Sequence, residues 1–459
     1  MRIPMSEPDI TAQELTAVQE VLHTPTLALG PRLARFEREL AAYVGAPHGI
    51  GVSSGTAGLH LCMIAAGVQR DDLVLTTPFS FIASANCILY VGARPLFVDV
   101  DPVTLTIDPN LLERRVRDCR RRGDARVKAI LPVHVFGQPA DMDPIIAIAR
   151  ANDLAVIEDA CEAIGATYRG RPVGTLADAG VFAFYPNKQM TTGEGGMIVT
   201  ANSRWDALFR SLRNQGRDTF DGWLTHSRLG YNYRLDELSA ALGAVQVSRL
   251  DEILAKRARV AGWYRDRLKH LEDIELPTAA PWTTRMSWFV YVVRLAGAGW
   301  RGHIGKLGCD AVGRDRVVPE LARLGNERDR VIRELARRAI PARPYFPPIH
   351  LQPFYRAAFG FAPGAFPIAE AAGATCLALP FFGTMREEQV ATVCSALEES
   401  LHACRSTYGR DRATPDTSAG VPTRASVSAS PGLSASAGLS ADTAGAIAGA
   451  RRRAAGAVR

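Results

Sequence analysis

With 459 residues, 47% of them hydrophobic and 22% charged, the chain is long enough to bury a large core and to form two subdomains. Residues 405–459 carry eight Arg and three Asp and so hold +5 of the net +7 charge; the rest is nearly balanced, which disfavours a nucleic-acid-binding surface. Eight cysteines without a CxxC pair, no apolar leader at 1–7 and no run long enough to span a bilayer give the expectation of a soluble, cytoplasmic protein.

Thr11-Ala12-Gln13-Glu14 is a capping-box pattern and opens a helix to about Leu22. A second helix runs from Pro31, proline being favoured in the first turn, to about Tyr43. Short apolar runs then alternate with longer amphipathic segments, at 49–52, 73–76, 95–100, 129–135, 155–157, 181–184 and 197–199. Runs this short, separated by crossover-length segments, predict an α/β fold with a mostly parallel sheet covered on both faces. From Asp251 the pattern changes. A long helix at 251–271, then segments at 287–295 and 333–346, predict a smaller C-terminal α/β domain. The division is therefore 1–250, with an N-terminal arm at 1–22, then 251–404, then a low-complexity basic tail at 405–459. That tail has too few large apolar side chains to offset its own ordering entropy. The Gly- and Arg-rich stretch 296–326 reads as a surface insertion, and its charged part, 314–323, as a solvated face.

In parallel sheets ligands bind beyond the carboxyl ends of the strands, where the Ser53–Gly58 turn, Asp159 and Lys188 all fall. Lys188 follows the apolar run Ala179–Phe184 and precedes Thr191-Thr192-Gly193-Glu194-Gly195-Gly196. A lysine at the mouth of a buried strand is rare unless paired or chemically used. In Ser53-Ser54-Gly55-Thr56-Ala57-Gly58, small residues let backbone N–H groups and the Thr56 hydroxyl approach an oxyanion at a helix N-terminus. Asp159 ends its strand, and a carboxylate beside a buried site needs a partner. A protonated pyridine nitrogen suits it, since the ion pair keeps the ring cationic and a better electron sink. Phe81 offers an aromatic face to a flat ring, with Phe79 competing if the segment is extended. Singly, Ser53–Gly58 reads better as an ordinary tight turn, Asp159 is a credible helix cap, and Phe81 fits core packing at least as well. With Lys188 they describe a site for pyridoxal 5'-phosphate (PLP). No GxGxxG opens a helix and no GxxxxGK[ST] is present, and the nine histidines form no HxxxH or HExxH cluster; a dinucleotide, a nucleoside triphosphate and a metal are disfavoured.

From about Ile3 to about Leu397 the chain resembles the DegT/DnrJ/StrS family of PLP-dependent sugar aminotransferases. The resemblance is carried, in the family's order, by residues 52–59, 94–101, 132–137, Glu158-Asp159-Ala160-Cys161-Glu162-Ala163, 184–196, Gly230-Tyr231-Asn232-Tyr233-Arg234-Leu235 and 347–353. It implies PLP-dependent transferase fold type I (aspartate-aminotransferase-like), with a large mostly parallel sheet domain, a smaller C-terminal α/β domain and a homodimer with active sites at the subunit interface. It implies that Lys188 forms the internal aldimine, Asp159 pairs with the pyridine nitrogen, Phe81 stacks on the ring, and Thr56 and Ala57 bind the phosphate through their N–H groups. Arg234 matches a position that reaches the phosphate of the neighbouring subunit's cofactor, and His350 and Tyr345 fall among the sugar contacts. Three residues depart from the family pattern. Ala183 stands where a serine often contacts the phosphate. Glu162 stands near the cofactor phenolate, where Gln or His is common, and must be protonated, bridged by water or turned away. Arg234 replaces an asparagine of some members, its charge offsetting the missing serine.

The implied activity is a two-stage transamination in amino-sugar biosynthesis. L-Glutamate supplies the amino group, Lys188 moves the proton, and a nucleotide-linked keto-deoxysugar accepts the amine. Residues 191–196 look more like those of 4-aminating members, which points to an NDP-4-keto-6-deoxyhexose. A keto-cyclitol or a 3-keto sugar is an alternative acceptor. Sugar dehydratases of this fold carry His where this chain has Lys188, and a non-catalytic regulatory homologue has no use for Lys188 and Asp159.

Overall fold

Seven strands form the central sheet of the computed structural model, which describes residues 2–124, 126–218, 225–296 and 311–411, with side chains at 311–316 and 406–411 left undescribed. In chain order the first five are β1 (His48–Val52), β2 (Leu73–Thr76), β3 (Arg94–Phe97), β4 (Val127–Leu131) and β5 (Ala155–Asp159). The short β6 (Thr167–Tyr168) and β7 (Arg171–Pro172) lie outside this sheet, which β8 (Ala179–Ala183) and β9 (Gly196–Thr200) complete. The spatial order is β1-β9-β8-β5-β4-β2-β3. Only β9 runs against its neighbours, β1 and β8; the other pairings are parallel. Helices cover both faces, so β5, β8 and β9 are buried almost throughout and read as continuous apolar runs.

Two strands stop earlier than their apolar runs. β4 ends at Leu131 because Pro132 has no N–H to donate, and Val135–Gly137 turns as a 3-10 helix with Phe136 at φ 58. β3 ends at Phe97, and two residues later Asp99 accepts the N–H groups of Ile368 and Ala369 at 3.0 and 2.8 Å, capping the helix Pro367–Thr375.

A second sheet, all antiparallel, has the order β10 (Ile274–Glu275), β12 (Tyr291–Leu295), β14 (Cys376–Leu379) and β13 (Arg343–Pro344). β11 (Thr283–Arg285) joins β6 and β7 in a three-stranded sheet. Residues up to Gly409 form one compact unit, and the division expected at 250 is blurred. The helix Leu250–Leu268 places Leu250 and Leu254 in the core of the large sheet and Val260, Tyr264 and Leu268 in that of the second. The expected arm at 1–22 also crosses over: Ile3 packs in the second core, and Phe381 N–H donates to the Met5 carbonyl at 3.0 Å.

The insertion expected at 296–326 is corrected in its second half. A single helix spans Ala311–Arg337, and within the stretch expected to be solvated Val317 and Leu321 are buried, with Leu324, against Ala371. Their spacing makes an apolar stripe that the surrounding Arg and Glu residues conceal. Residues 297–310 lie outside the described part. The last helix, Glu387–Asp411, runs past the expected boundary at 404, and the rest of the tail, 412–459, also lies outside the described residues. No helix among the described residues is long and apolar enough to cross a membrane, and each described cysteine is a free thiol.

Candidate active site

A cavity of about 390 Å³ opens beyond the carboxyl ends of β5 and β8. One wall is the start of the helix Gly55–Ala65, capped by Ser54, whose Oγ accepts Ala57 N–H at 3.1 Å. The Gly55 and Thr56 N–H groups have no intrahelical partner and carry the positive end of the helix dipole. Gly55 permits this seating, since a Cβ there would lie 2.7 Å from Ala183 Cβ and 2.8 Å from Cys161 Sγ.

Asp159, at the end of β5, is 4% exposed. Ser84 Oγ donates to its Oδ2 at 2.6 Å and Cys161 N–H to its Oδ1 at 3.2 Å. It forms no ion pair among the described residues, so a buried carboxylate lines the cavity with hydrogen bonds but no cation. Behind the sheet, Glu158 accepts the N–H groups of Gly174, Leu176 and Ala177 at 2.7, 2.7 and 3.0 Å. It also lies 3.0 Å from His134 Nε2. Because His134 Nδ1 accepts Ala140 N–H at 3.0 Å, its proton is on Nε2 and the ring is a neutral donor to Glu158.

Lys188 Nζ sits 3.6 Å from Glu162 Oε1 and 4.0 Å from the centre of the Phe289 ring. Glu162 Oε2 accepts Phe136 N–H at 2.9 Å. Burial pushes the Glu162 carboxyl above its usual range, while Lys188 and the Phe136 N–H pull it back. Gln189 braces this corner, its Nε2 donating to the Glu162 carbonyl at 2.6 Å and to Ser287 Oγ at 2.8 Å. Glu162 is thus turned toward Lys188 and Phe136. Tyr345 also lines the cavity; its phenol is pushed up by burial, then by Glu162, against an opposing hydrogen bond from Asn187.

Thr56, Phe81, Asp159, Glu162, Ala183, Lys188 and Tyr345 all line this cavity. Phe79 and Phe81 do not compete, because residues 77–82 are not extended as a strand. Phe79 is fully buried against Phe136 and Phe346, whereas Phe81 is 59% exposed at the mouth. Three expected residues lie elsewhere. Ala57 is outside the lining and its N–H is taken up by Ser54; the free donors are one and two residues earlier. His350 lies outside the lining: its side chain is fully buried, bonded to Glu370 at 3.0 Å and packed against Phe366. Arg234 is outside this chain's cavity and donates to Asn214 Oδ1 at 3.1 Å. Ser80, Ser84, Asn187 and Phe289 also line the cavity without having been read from the sequence. Ser84 carried a usable signal, a small hydroxyl residue at the start of a helix that follows a strand end.

These residues fit PLP. The buried, cation-free Asp159 matches a protonated ring nitrogen, and the uncapped N–H groups of Gly55 and Thr56 match a phosphate. The DegT/DnrJ/EryC1/StrS aminotransferase family matches residues 8–303 and 317–398. GDP-perosamine synthase of Caulobacter vibrioides is 38% identical over 401 residues, 87% of this chain and 98% of that protein. UDP-N-acetyl-3-dehydro-alpha-D-glucosamine 3-aminotransferase of Acidithiobacillus ferrooxidans is 35% identical over 392 residues, 84% of this chain and 94% of that one. The solved PLP form of Spr1654 from Streptococcus pneumoniae superposes with a TM-score of 0.76 at 25% identity, covering 88% of this chain and 100% of that chain.

Proposed function

The chain belongs to the DegT/DnrJ/EryC1/StrS aminotransferase family and is PLP-dependent, and we propose that it moves the amino group of L-glutamate onto a nucleotide-linked keto-deoxysugar, an NDP-4-keto-6-deoxyhexose. The observation that carries the reading is the pairing of a cation-free buried Asp159 with Lys188 on one cavity. The sugar class rests on relatives whose names carry nucleotide sugars. The 4-position rests on residues 191–196, of which Glu194 and Gly195 line the cavity. The relative named as a 3-aminotransferase favours a 3-keto sugar as the second reading.

Bound PLP supplies an electron sink conjugated to the carbon that bears the amine. Asp159 would hold the proton on the ring nitrogen, and the Gly55 and Thr56 N–H groups would hold the phosphate. Phe81, at the mouth, would offer its face to the ring, and Phe289 walls the cavity beside Lys188. Lys188 Nζ carries the proton to and from the reacting carbon. It sits between Glu162 and the Phe289 ring face, and the Glu162 carboxylate is placed to receive its proton when the amine is needed. The reading makes the enzyme a cytoplasmic homodimer in which Arg234, turned away from its own cavity, serves the cofactor phosphate of a second copy.

The test is a mass-spectrometric screen of nucleotide keto sugars with L-glutamate, using Lys188→Ala as blank. A mass change from keto to amino sugar with an NDP-4-keto-6-deoxyhexose is the expected result. Turnover of 3-keto sugars alone would move the assignment to the second reading, and equal product from the blank would remove the reading altogether.

A further inference from the structure

Asp159 is held by more than its place at the end of β5. Ser84 Oγ lies 2.6 Å from Asp159 Oδ2, and Ser80 Oγ lies 2.7 Å from Ser84 Oγ. Ser80, Ser84 and Asp159 are 4%, 1% and 4% exposed, so water does not compete for these bonds. An ionised carboxylate only accepts. Ser84 must therefore donate to Asp159, and its oxygen is left to accept from Ser80, which fixes the direction of the whole chain of hydroxyls. Cys161 N–H holds the other carboxylate oxygen at 3.2 Å, so both oxygens are pinned.

Two thiols also face Asp159, and that of Cys161 adds a hydrogen bond to it. The thiols of Cys87, on the helix that carries Ser84, and of Cys161 are pushed well above their usual range by burial, with Asp159 adding to the effect, and stay neutral. Lys188 and Glu162 face one another at 3.6 Å.

We propose that Ser80 and Ser84 form a hydroxyl relay that positions the Asp159 carboxylate for the ring nitrogen of PLP, Ser84 directly and Ser80 through Ser84. Both are positioning residues, and the proposal rests on the PLP reading of the site. The relay stabilises the ionised carboxylate in one orientation before the cofactor arrives, so that little reorganisation accompanies binding. Since the links are in series, Ser80 matters only while Ser84 is present.

The experiment measures PLP dissociation constants by absorbance titration for the wild type, Ser80→Ala, Ser84→Ala, the double variant and Ser84→Thr. The titrations are repeated with the carbocyclic analogue of PLP, in which C–H replaces the ring nitrogen. Ser84→Ala should weaken PLP about tenfold and Ser80→Ala about threefold. The double variant should bind like Ser84→Ala, and Ser84→Thr should recover most of the loss. For the analogue, wild type and Ser84→Ala should be alike, because it offers Asp159 nothing to bind. Equal losses for both ligands, or serine effects that add, would overturn the relay. A wild type that fails to bind PLP would overturn the reading of the site instead, and unfolding temperatures of the cofactor-free variants separate either result from misfolding.

Discussion

At the ring end of the cavity each polar group already has its partner within the chain; at the phosphate end the partners are sparse. Asp159, Ser84 and Ser80 are buried and bonded in sequence. Opposite them stand two backbone N–H groups and the methyl of Ala183, where a hydroxyl would add a bond. The Arg234 guanidinium is turned to Asn214. The preorganised end fixes the chemistry, since it determines the protonation of the ring. The open end takes what the ligand, and on the proposed reading a second copy, brings to it.

The largest expected effect tests the ring end. Lys188→Ala should lower kcat by at least about 10⁴-fold while PLP is still retained through Asp159. Asp159→Asn keeps the shape but not the charge, and PLP affinity should fall about 10²-fold in equilibrium titration. Retention of wild-type affinity would mean that the buried carboxylate meets no cation.

Arg234→Ala probes the phosphate end. On the two-copy reading it should weaken PLP about tenfold, with a smaller loss at high salt; an unchanged constant would leave the end open in the assembled enzyme too. The helix whose N-terminus forms this end carries His60, 3% exposed, its Nδ1 3.2 Å from the Tyr233 hydroxyl. Burial pushes His60 down to about 4. The unfolded chain therefore binds a proton between pH 6.5 and 4 that the folded chain does not. Stability from this group is intact above pH 6.5 and lost as pH falls toward 4, and His60→Gln should flatten that part of a pH series of unfolding temperatures. The smallest effect is a gain. Ala183→Ser should tighten PLP about threefold by restoring a hydroxyl to the cup, whereas a loss would show that the close packing against Gly55 leaves no room for it.

Much of this site was legible because its parts lie at strand ends, and buried strands announce themselves as short apolar runs. Lys188, Asp159 and the Ser53–Gly58 turn needed no tertiary information. The partner of the Ala57 N–H is legible too, since Ser54, three residues earlier, is a favoured cap for it. His350 could not have been placed: its burial depends on Glu370 and Phe366, brought to it by tertiary packing. Phe289 reaches Lys188 from the segment leading into the second sheet, a contact that no local pattern encodes. In the helix Ala311–Arg337 the apolar stripe of Val317, Leu321 and Leu324 was present in the sequence but outweighed by its charge.

The central claim is that Lys188 and Asp159 make this cavity a PLP transamination site for a sugar. The most direct measurement is the visible absorbance of the PLP-loaded enzyme on adding L-glutamate, followed by an NDP-4-keto-6-deoxyhexose. The band should disappear with glutamate and return with the sugar, and Lys188→Ala should show neither change at the wild-type rate. A band that glutamate leaves untouched, or the same cycle in Lys188→Ala, would contradict the account.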